Sequence, residues 1–386
     1  MKILIYCQHV LGIGHLFRIL EIARAMKEHR VCLVLGGPPV SISLPRHVRV
    51  IQLPGLRMDA DFSELSPVDP GRSLEQIKAE RKAVLHNLAR ELKPDIIIIE
   101  LFPFGRNGFS FELLPLLKDV RSGELPSARV VCSLRDILVE KKDQASFEQR
   151  VLDRLNSLFD ALLVHGDPDV IGLDATFSRV GDITIPVVYT GYICEKSSCR
   201  EGAALKEQIR LHPDEKLIVV SAGGGNVGYH LLDTALRASE LLHFPVRMQI
   251  FTGPYLEADH FADLRQKITP GIRIERFTDN FPSWLAAADL SISMGGYNTS
   301  VNVLASGTPA LIHPFAQNRE QRLRAERFAA MAAIRLLPET DISPGVLADH
   351  ISSMIERKKT IPAVRLDGAE KTNQLLTRWL ATGVIP

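Results

Sequence analysis

The sequence predicts an α/β protein made of two Rossmann-like, doubly wound domains facing across a cleft. Three observations carry that expectation. Short apolar runs alternate with amphipathic segments, as βα repeats do. The alternation lapses and then restarts in the second half of the chain. The 386 residues also exceed the roughly 100–150 that one domain core usually organises.

Taken in order, ILIYC (3–7), VCLVL (31–35), VRVIQL (48–53), DIIIIE (95–100), ARVVCSL (128–134) and ALLVHG (161–166) read as strands. They are apolar at nearly every position, which marks a parallel sheet covered on both faces. Helical patterns at 16–29 and 74–93 lie between them. In the second series, 216–225, 246–253, 271–277, 288–296 and 308–315 read as strands, several of them running into glycine turns. TGYICEKSSCREG (190–202) separates the two series and reads as the linker, and 368–382 reads as a terminal amphipathic helix. The expected partition is 1–192 and 193–365, with a C-terminal helix in 366–386 packing back toward the N-terminal domain.

Composition narrows the function classes. A net charge of +1 gives no broad electrostatic footprint for nucleic acid. The opening MKILIYCQHV is too short to span a bilayer and lacks a small-residue cleavage site, and no later segment holds about 20 uninterrupted apolar residues. A soluble, cytoplasmic protein is expected. The apolar stretch LFPFGRNGFSFELLPLL reads as core, with contact to a membrane surface as the other reading. Five cysteines are an odd count for a disulfide framework. Cys7, Cys32 and Cys132 lie in apolar runs, and Cys194 and Cys199 have no companions at zinc-ligand spacing. Asp59-Ala60-Asp61 has the form of a metal-binding carboxylate pair, but no strand directly precedes it, so it reads as solvated loop charge.

Three glycine turns carry chemistry. Gly12-Ile13-Gly14-His15 follows the first strand. A dinucleotide loop would need a third glycine where Phe17 stands and an acid where strand two runs into Gly36-Gly37-Pro38. What remains is His15 at a helix start, where the helix dipole keeps imidazole neutral and able to act as a base. A plain helix cap is the alternative. Gly223-Gly224-Gly225-Asn226 and Gly295-Gly296-Tyr297-Asn298-Thr299 each stand between a strand and a helix. Glycines let a phosphate approach the backbone at a helix start, so two such turns in one domain suggest a diphosphate cradle, against the alternative of plain tight turns. Glu320 and Gln321 open a helix and suit hydrogen bonds to sugar hydroxyls. In the N-terminal half, Glu100, Arg106, Arg135 and Asp136 stand after strand-like runs, and Arg18 lies one turn after His15. The arginines suit a phosphate or carboxylate on an acceptor, or structural salt bridges.

The order and spacing of GGYNT, SGTPAL and PF…EQ resemble the GT-B glycosyltransferases, especially the N-acetylglucosaminyltransferase that makes lipid II. GIGHLFR looks like that enzyme's glycine-rich loop. The whole chain, through GIGHLFRI, ELFPFGRNGFSFELLPLL, VCSLRDIL, LLVHGDP, YTGY, GGYNT and REQRLRAERF, is similar to a bacterial group of predicted glycosyltransferases.

The resemblance implies roles. His15 becomes an acceptor-side base or a donor phosphate contact. Gly14, Gly223, Gly224, Gly225, Asn226, Gly295, Gly296, Tyr297, Asn298 and Thr299 surround donor phosphates. Phe277 and Thr278 hold the base, and Glu320 and Gln321 read the donor sugar. Relatives carry a glutamate where this chain has Asn302, so the charge-assisted grip on the ribose is reduced to a neutral one.

The implied activity is inverting transfer of a sugar, N-acetylglucosamine as the first guess, from a UDP-sugar to an acceptor hydroxyl that is phosphate-bearing or lipid-linked. The nucleotide sugar is then a substrate, and no cofactor and no metal are implied. The expected place is the cytoplasm or the inner face of the membrane. A nucleotide-sugar epimerase of the same fold and a non-catalytic nucleotide-sugar binding protein are the rivals. Isomer formation from the donor alone would mark the first rival, and binding without turnover the second.

Overall fold

The computed structural model describes residues 1–8, 14–37, 44–58, 65–196 and 198–385. They divide into two units, Met1–Ile193 with Arg365–Pro386, and Cys194–Val364. Residues 10–13 of the first glycine turn and the Asp59-Ala60-Asp61 stretch lie outside the described residues.

The first unit holds β1 (Lys2–Cys7), α1 (Gly14–Ala25), β2 (Arg30–Leu35), β3 (Val48–Gln52), β4 (Leu56–Met58), β5 (Leu65–Pro67), α2 (Leu74–Leu92), β6 (Ile96–Glu100), α3 (Ser110–Ser122), β7 (Arg129–Arg135), α4 (Gln144–Leu158), β8 (Ala161–His165) and β9 (Val187–Tyr189). The second holds α5 (Cys199–Gln208), β10 (Lys216–Ser221), α6 (Tyr229–Ser239), β11 (Val246–Phe251), α7 (Ala258–Gln266), β12 (Ile272–Glu275), α8 (Phe281–Ala287), β13 (Leu290–Met294), α9 (Tyr297–Ser306), β14 (Ala310–His313), α10 (Arg319–Ala329), β15 (Ile334–Leu336) and α11 (Pro344–Met354). The chain then returns to the first unit as α12 (Gly368–Thr382).

Both main sheets are parallel. The first runs β3-β2-β1-β6-β7-β8-β9 and the second β12-β11-β10-β13-β14-β15. Helices cover both faces, so the central strands β1, β6, β7, β8, β10 and β13 are buried and largely apolar, whereas the edge strands β3 and β12 alternate with exposed polar residues. In the first unit the period-two alternation sorts residues cleanly. Ile97, Ile99, Val130 and Cys132 face one core layer, and Ile96, Ile98, Val131 and Leu163 face the other, beneath α1 and α12. The stretch from Phe102 to Leu117 supplies buried Phe102, Phe104, Phe109, Leu113 and Leu116 to the first layer, so it is core. Among the described residues, no helix is long and apolar enough to cross a membrane.

Several elements depart from the sequence expectation. The stretch 190–202 is not one linker. Tyr192 and Ile193 are buried in the first unit, while Cys199 already opens α5, capped by the reciprocal Ser198–Glu201 pair. The helix expected over 16–29 ends at Ala25. The hydroxyl of Thr372 donates to the Gly368 carbonyl (2.6 Å), and Leu375, Leu376 and Trp379 bury α12 in the layer that holds Leu16, Ile19 and Leu20 of α1. At the base of α12 the two chain crossings lie side by side. The Tyr192 amide donates to the Arg365 carbonyl (2.7 Å) and the Gly368 amide to the Tyr192 carbonyl (3.0 Å). A Cβ on Gly368 would lie 2.8 Å from the Tyr192 carbonyl oxygen, so glycine is needed for this approach.

Each sheet reverses its strand order once, between β1 and β6 in the first unit and between β10 and β13 in the second. At such a reversal the connecting helices diverge to opposite faces and leave a crevice outside the carboxyl ends of the two strands, where open α/β sheets bind ligands. The candidate residues collect at both.

Candidate active site

In the first unit the reversal point is built by His15, at the start of α1 after β1, and Glu100, the last residue of β6. Glu100 continues the inward alternation of Ile96 and Ile98, so its carboxylate enters the layer beneath α1 and is 1% exposed. Its Oε1 lies 2.9 Å from His15 Nδ1 and is ion-paired with Arg18. Arg18, one turn along α1, is 3% exposed, and its guanidinium also lies 3.0 Å from His15 Nδ1. The His15 side chain is 20% exposed.

Nδ1 faces both an acceptor, Glu100, and a donor, Arg18, so the charge on the carboxylate decides the tautomer. Arg18 and two hydrogen bonds hold the Glu100 carboxyl ionised, down at about 2, against the burial that opposes it. A ring lone pair facing that carboxylate at 2.9 Å would be repelled, so Nδ1 carries the proton and donates to Glu100. Nε2 then keeps the lone pair. Burial, with smaller contributions from Arg106 and Arg18, pushes the imidazole down to about 3, although the Glu100 carboxylate pulls the other way. His15 is therefore a neutral base near pH 7. The dominant cause is desolvation, which a sequence-level argument from the helix dipole does not supply.

The other candidates of this unit fall into two groups. Arg106, in the left-handed region at φ 60°, buries its guanidinium Nε with no hydrogen-bond partner among the described residues. Arg135 is half-buried and donates from Nε to the Ile137 carbonyl (3.0 Å). Asp136 is fully buried, and its Oδ1 accepts from the Ile137 amide (2.8 Å). Its Cβ packs tightly against Gly166, where an added Cβ would lie 2.8 Å away. Sequence reasoning missed Ser133 and His165, both fully buried, and Thr190. Ser133 donates to Glu100 Oε2 (2.6 Å) and lies 2.9 Å from His165 Nε2. The available signal was a polar residue at an inward position of an otherwise apolar strand, in VVCSL and LLVH.

In the second unit the reversal point is lined by the turn after β10 and the turn after β13. The first differs from expectation, because α6 begins at Tyr229 and not on the glycines. Gly223 (φ 67°) and Gly225 (φ 92°) are left-handed, and the Gly223 amide is bonded to Ser221 Oγ (3.2 Å). A Cβ on Gly225 would lie 2.6 Å from the Thr252 carbonyl, whereas nothing lies within 4 Å of one on Gly223 and only Tyr255, at 3.9 Å, near one on Gly224. The tight packing of Gly225 is therefore structural, and Gly223 and Gly224 are the open face. Asn226 follows them within the same loop.

The second turn meets its helix directly. Gly296 is the N-cap of α9, with φ −65° and nothing within 4 Å of its Cβ direction, so the amides of the first turn of α9 emerge beside open backbone. Gly295 packs on α10, against the Gln321 Cβ. Tyr297 is 5% exposed with the Arg324 guanidinium over its ring, so its side chain belongs to the core. Asn298, Thr299 and Asn302 are partly exposed on α9, with Asn298 and Asn302 four residues apart on one face. Glu320 is 4% exposed and paired with fully buried Arg324 (2.6 Å), and Gln321 Oε1 accepts from the Phe315 amide (3.1 Å). Arg324 also donates to the Gly295 carbonyl (3.4 Å). Glu320 thus helps to hold the turn in place. Phe277 is exposed between β12 and α8, and Thr278 Oγ1 accepts from the Asn280 amide (3.1 Å).

The two glycine positions separate by substitution. Gly296→Val has an allowed φ and free space, so the protein should fold with unchanged melting temperature. A side chain there would crowd the open turn, and nucleotide-diphosphate affinity measured by calorimetry should fall at least tenfold. Gly225→Ala should instead lower the melting temperature, through its positive φ and its 2.6 Å approach to Thr252.

Two parallel-sheet Rossmann-like units of this kind define the GT-B fold, and solved structures agree. The chain aligns over 97% of its length with MurG of Acinetobacter baumannii (TM-score 0.52, 14% identity, 94% of that chain). It aligns over 98% with UGT2 of Phytolacca americana in complex with UDP-2-fluoroglucose and pterostilbene (TM-score 0.59, 14% identity, 93% of that chain). Residues 224–375 match the glycosyltransferase family 28 C-terminal domain. Among sequence relatives, an uncharacterised glycosyltransferase of Methanopyrus kandleri is 24% identical over 232 residues, 58% of this chain and 62% of that one. The UDP-N-acetylglucosamine–N-acetylmuramyl-(pentapeptide) pyrophosphoryl-undecaprenol N-acetylglucosamine transferase of Carboxydothermus hydrogenoformans is 27% identical over 186 residues, 45% of this chain and 46% of its own length. The alignments thus span about half to three-fifths of these relatives.

Proposed function

We propose that the protein is an inverting glycosyltransferase that moves a sugar from a UDP-sugar to an acceptor hydroxyl. The observation that carries this reading is the His15–Glu100 pair at the β1/β6 reversal, with Nδ1–H spent on the carboxylate and Nε2 left as acceptor. His15 Nε2 takes the proton of the acceptor hydroxyl as its oxygen attacks the anomeric carbon. The positive charge that develops on the ring is met by Glu100, already ionised and fixed in place, so little reorganisation accompanies transfer. The glycosidic oxygen leaves with the nucleotide diphosphate, whose charge the Gly296 turn and the amides at the start of α9 would stabilise. No metal enters this reading.

UDP is supported as the nucleotide by the relative named as a UDP-N-acetylglucosamine transferase and by the UGT2 complex. N-acetylglucosamine is the sugar in this reading, after that relative. Arg106 Nε, without a hydrogen-bond partner among the described residues, supports an acceptor that carries an anionic group, a phosphate above all.

The donor half is tested by thermal shift. A nucleotide diphosphate that binds only the folded state at 100 times its Kd stabilises by about 2.7 kcal/mol, which is about 5–10 °C for a unit of this size. UDP-N-acetylglucosamine and UDP should both produce such a shift. No shift with any nucleotide diphosphate at millimolar concentration would overturn the donor assignment.

A further inference from the structure

We propose that Ser133, His165 and Thr190 form a buried positioning chain that holds the Glu100 carboxylate and, through it, keeps the His15 proton on Nδ1. The three residues come from the end of β7, the end of β8 and the segment just after β9, so the chain runs across the sheet behind the reversal point. Glu100 pairs with Ser133 in the parallel register, and His165, two residues beyond Leu163, the register partner of Ser133, lies on the same face and reaches the Ser133 hydroxyl diagonally. The contacts are Ser133 Oγ to Glu100 Oε2 (2.6 Å), Ser133 Oγ to His165 Nε2 (2.9 Å) and His165 Nδ1 to Thr190 Oγ1 (2.8 Å). Ser133 and His165 are fully buried and Thr190 is 1% exposed, so none of them meets substrate.

Proton counting gives the chain one direction. A serine hydroxyl has a single hydrogen, and the ionised carboxylate at 2.6 Å takes it. The Ser133 oxygen must then accept from His165, so His165 carries its proton on Nε2. Its Nδ1 is left as an acceptor, and Thr190, whose hydroxyl also lies 3.4 Å from the Gly191 carbonyl, donates to it across the shorter 2.8 Å contact. His165 stays neutral, because burial first and Arg18 second depress its basicity. Every hydrogen in the chain points toward Glu100. The carboxylate is held on Oε2 by Ser133 and on Oε1 by Arg18, and His15 Nδ1–H meets an oxygen that cannot rotate away. Removing the Ser133 hydroxyl would free Oε2, raise the proton affinity of Glu100 and loosen its hold on the ring.

This assignment rests on the transferase reading, but its test needs no turnover. Nitrogen-15 histidine spectra of the whole chain report the tautomer and titration of His15 directly, with its signals assigned by their loss in His15→Gln. The wild-type protein should show the Nδ1–H tautomer. Ser133→Ala should move the His15 midpoint further down, because it weakens the Glu100 contact that raises it, increase the Nε2–H fraction and lower kcat about tenfold with donor KM unchanged. Ser133→Thr, which keeps a hydroxyl, should restore both the spectrum and the rate. A role confined to stability would lower the melting temperature of Ser133→Ala and leave the His15 spectrum alone, which would overturn the proposal. An Nε2–H tautomer in the wild-type protein would overturn it with no variant at all. A shifted spectrum in a protein that turns over no donor would count against the transferase reading only.

Discussion

Replacing His15 with alanine should lower kcat about 10²–10⁴-fold, the usual worth of a positioned proton transfer, equivalent to roughly 3–5 kcal/mol of barrier. Donor affinity should hardly change, since the turns proposed to bind the donor belong to the other unit and a base acts mainly in the transition state. The pH profile adds a sign. The base works only when unprotonated, and burial pushes His15 down to about 3. Turnover should therefore hold as pH falls from about 8 to 5, a range in which an imidazole with the ordinary value near 6.5 would lose most of its free base. A rate that drops through pH 6.5 would show an imidazole exposed to solvent. A full-rate His15→Ala protein would remove His15 from the chemistry altogether.

Glu112→Ala should be the most damaging single change to the first unit, costing about 3–5 kcal/mol of stability. Glu112 and Arg81 are both fully buried. They form a two-pronged pair, NH2 to Oε1 at 2.6 Å and Nε to Oε2 at 2.9 Å. The Tyr6 hydroxyl donates to the same carboxylate, and Arg81 reaches the Gly36 and Pro54 carbonyls at 2.9 and 2.8 Å and Gln8 at 2.7 Å. Losing the carboxylate leaves a guanidinium buried without its counter-charge, and that residue accounts for most of the damage. For a unit of about 200 residues the melting temperature should fall by about 6–20 °C. Removing both charges together, Arg81→Met with Glu112→Leu, should cost less than the single change. A Glu112→Ala protein within 1 kcal/mol of wild type would show that water reaches Arg81.

The fold class was legible because it depends on local patterns. Runs such as IIIIE and VVCSL can be buried only in a sheet covered on both faces, and glycine turns punctuate them. Five of the six second-unit strands, β10 to β14, were placed within a few residues for the same reason, and the short β15 was not read. Several helices were not read: α3, α4, α5, α7 and α11 were passed over, although α4 carries a helical stripe of Phe147, Val151, Leu152, Leu155 and Leu158. At the site, His15, Arg18 and Glu100 were each singled out by position. Their convergence on one carboxylate oxygen was not legible, because it depends on β6 lying next to β1, a pairing across 85 residues. Ser133 and His165 were passed over because a lone polar residue in an apolar strand resembles tolerated noise until its neighbours are known. Glu320 illustrates the reverse case: it looks like a free carboxylate at a helix start, but Arg324, one turn along the same helix, neutralises it.

The position of α12 bears on how the chain folds as it is made. The second unit is one continuous stretch, Cys194–Val364, and nothing outside it is required to complete its sheet. The first unit is discontinuous, and Leu375, Leu376 and Trp379 of its last helix cover the apolar side of α1. At roughly 5–20 residues per second the ribosome takes on the order of 10–30 s to pass through Cys194–Val364. During that interval Leu16, Ile19 and Leu20 have no helix to cover them. The later-made unit can finish first, and the earlier one waits as a partly open sheet with a greasy stripe exposed to chaperones and to other nascent chains. Emergence of α12, rather than synthesis of the unit's own strands, then sets the moment at which the first unit closes.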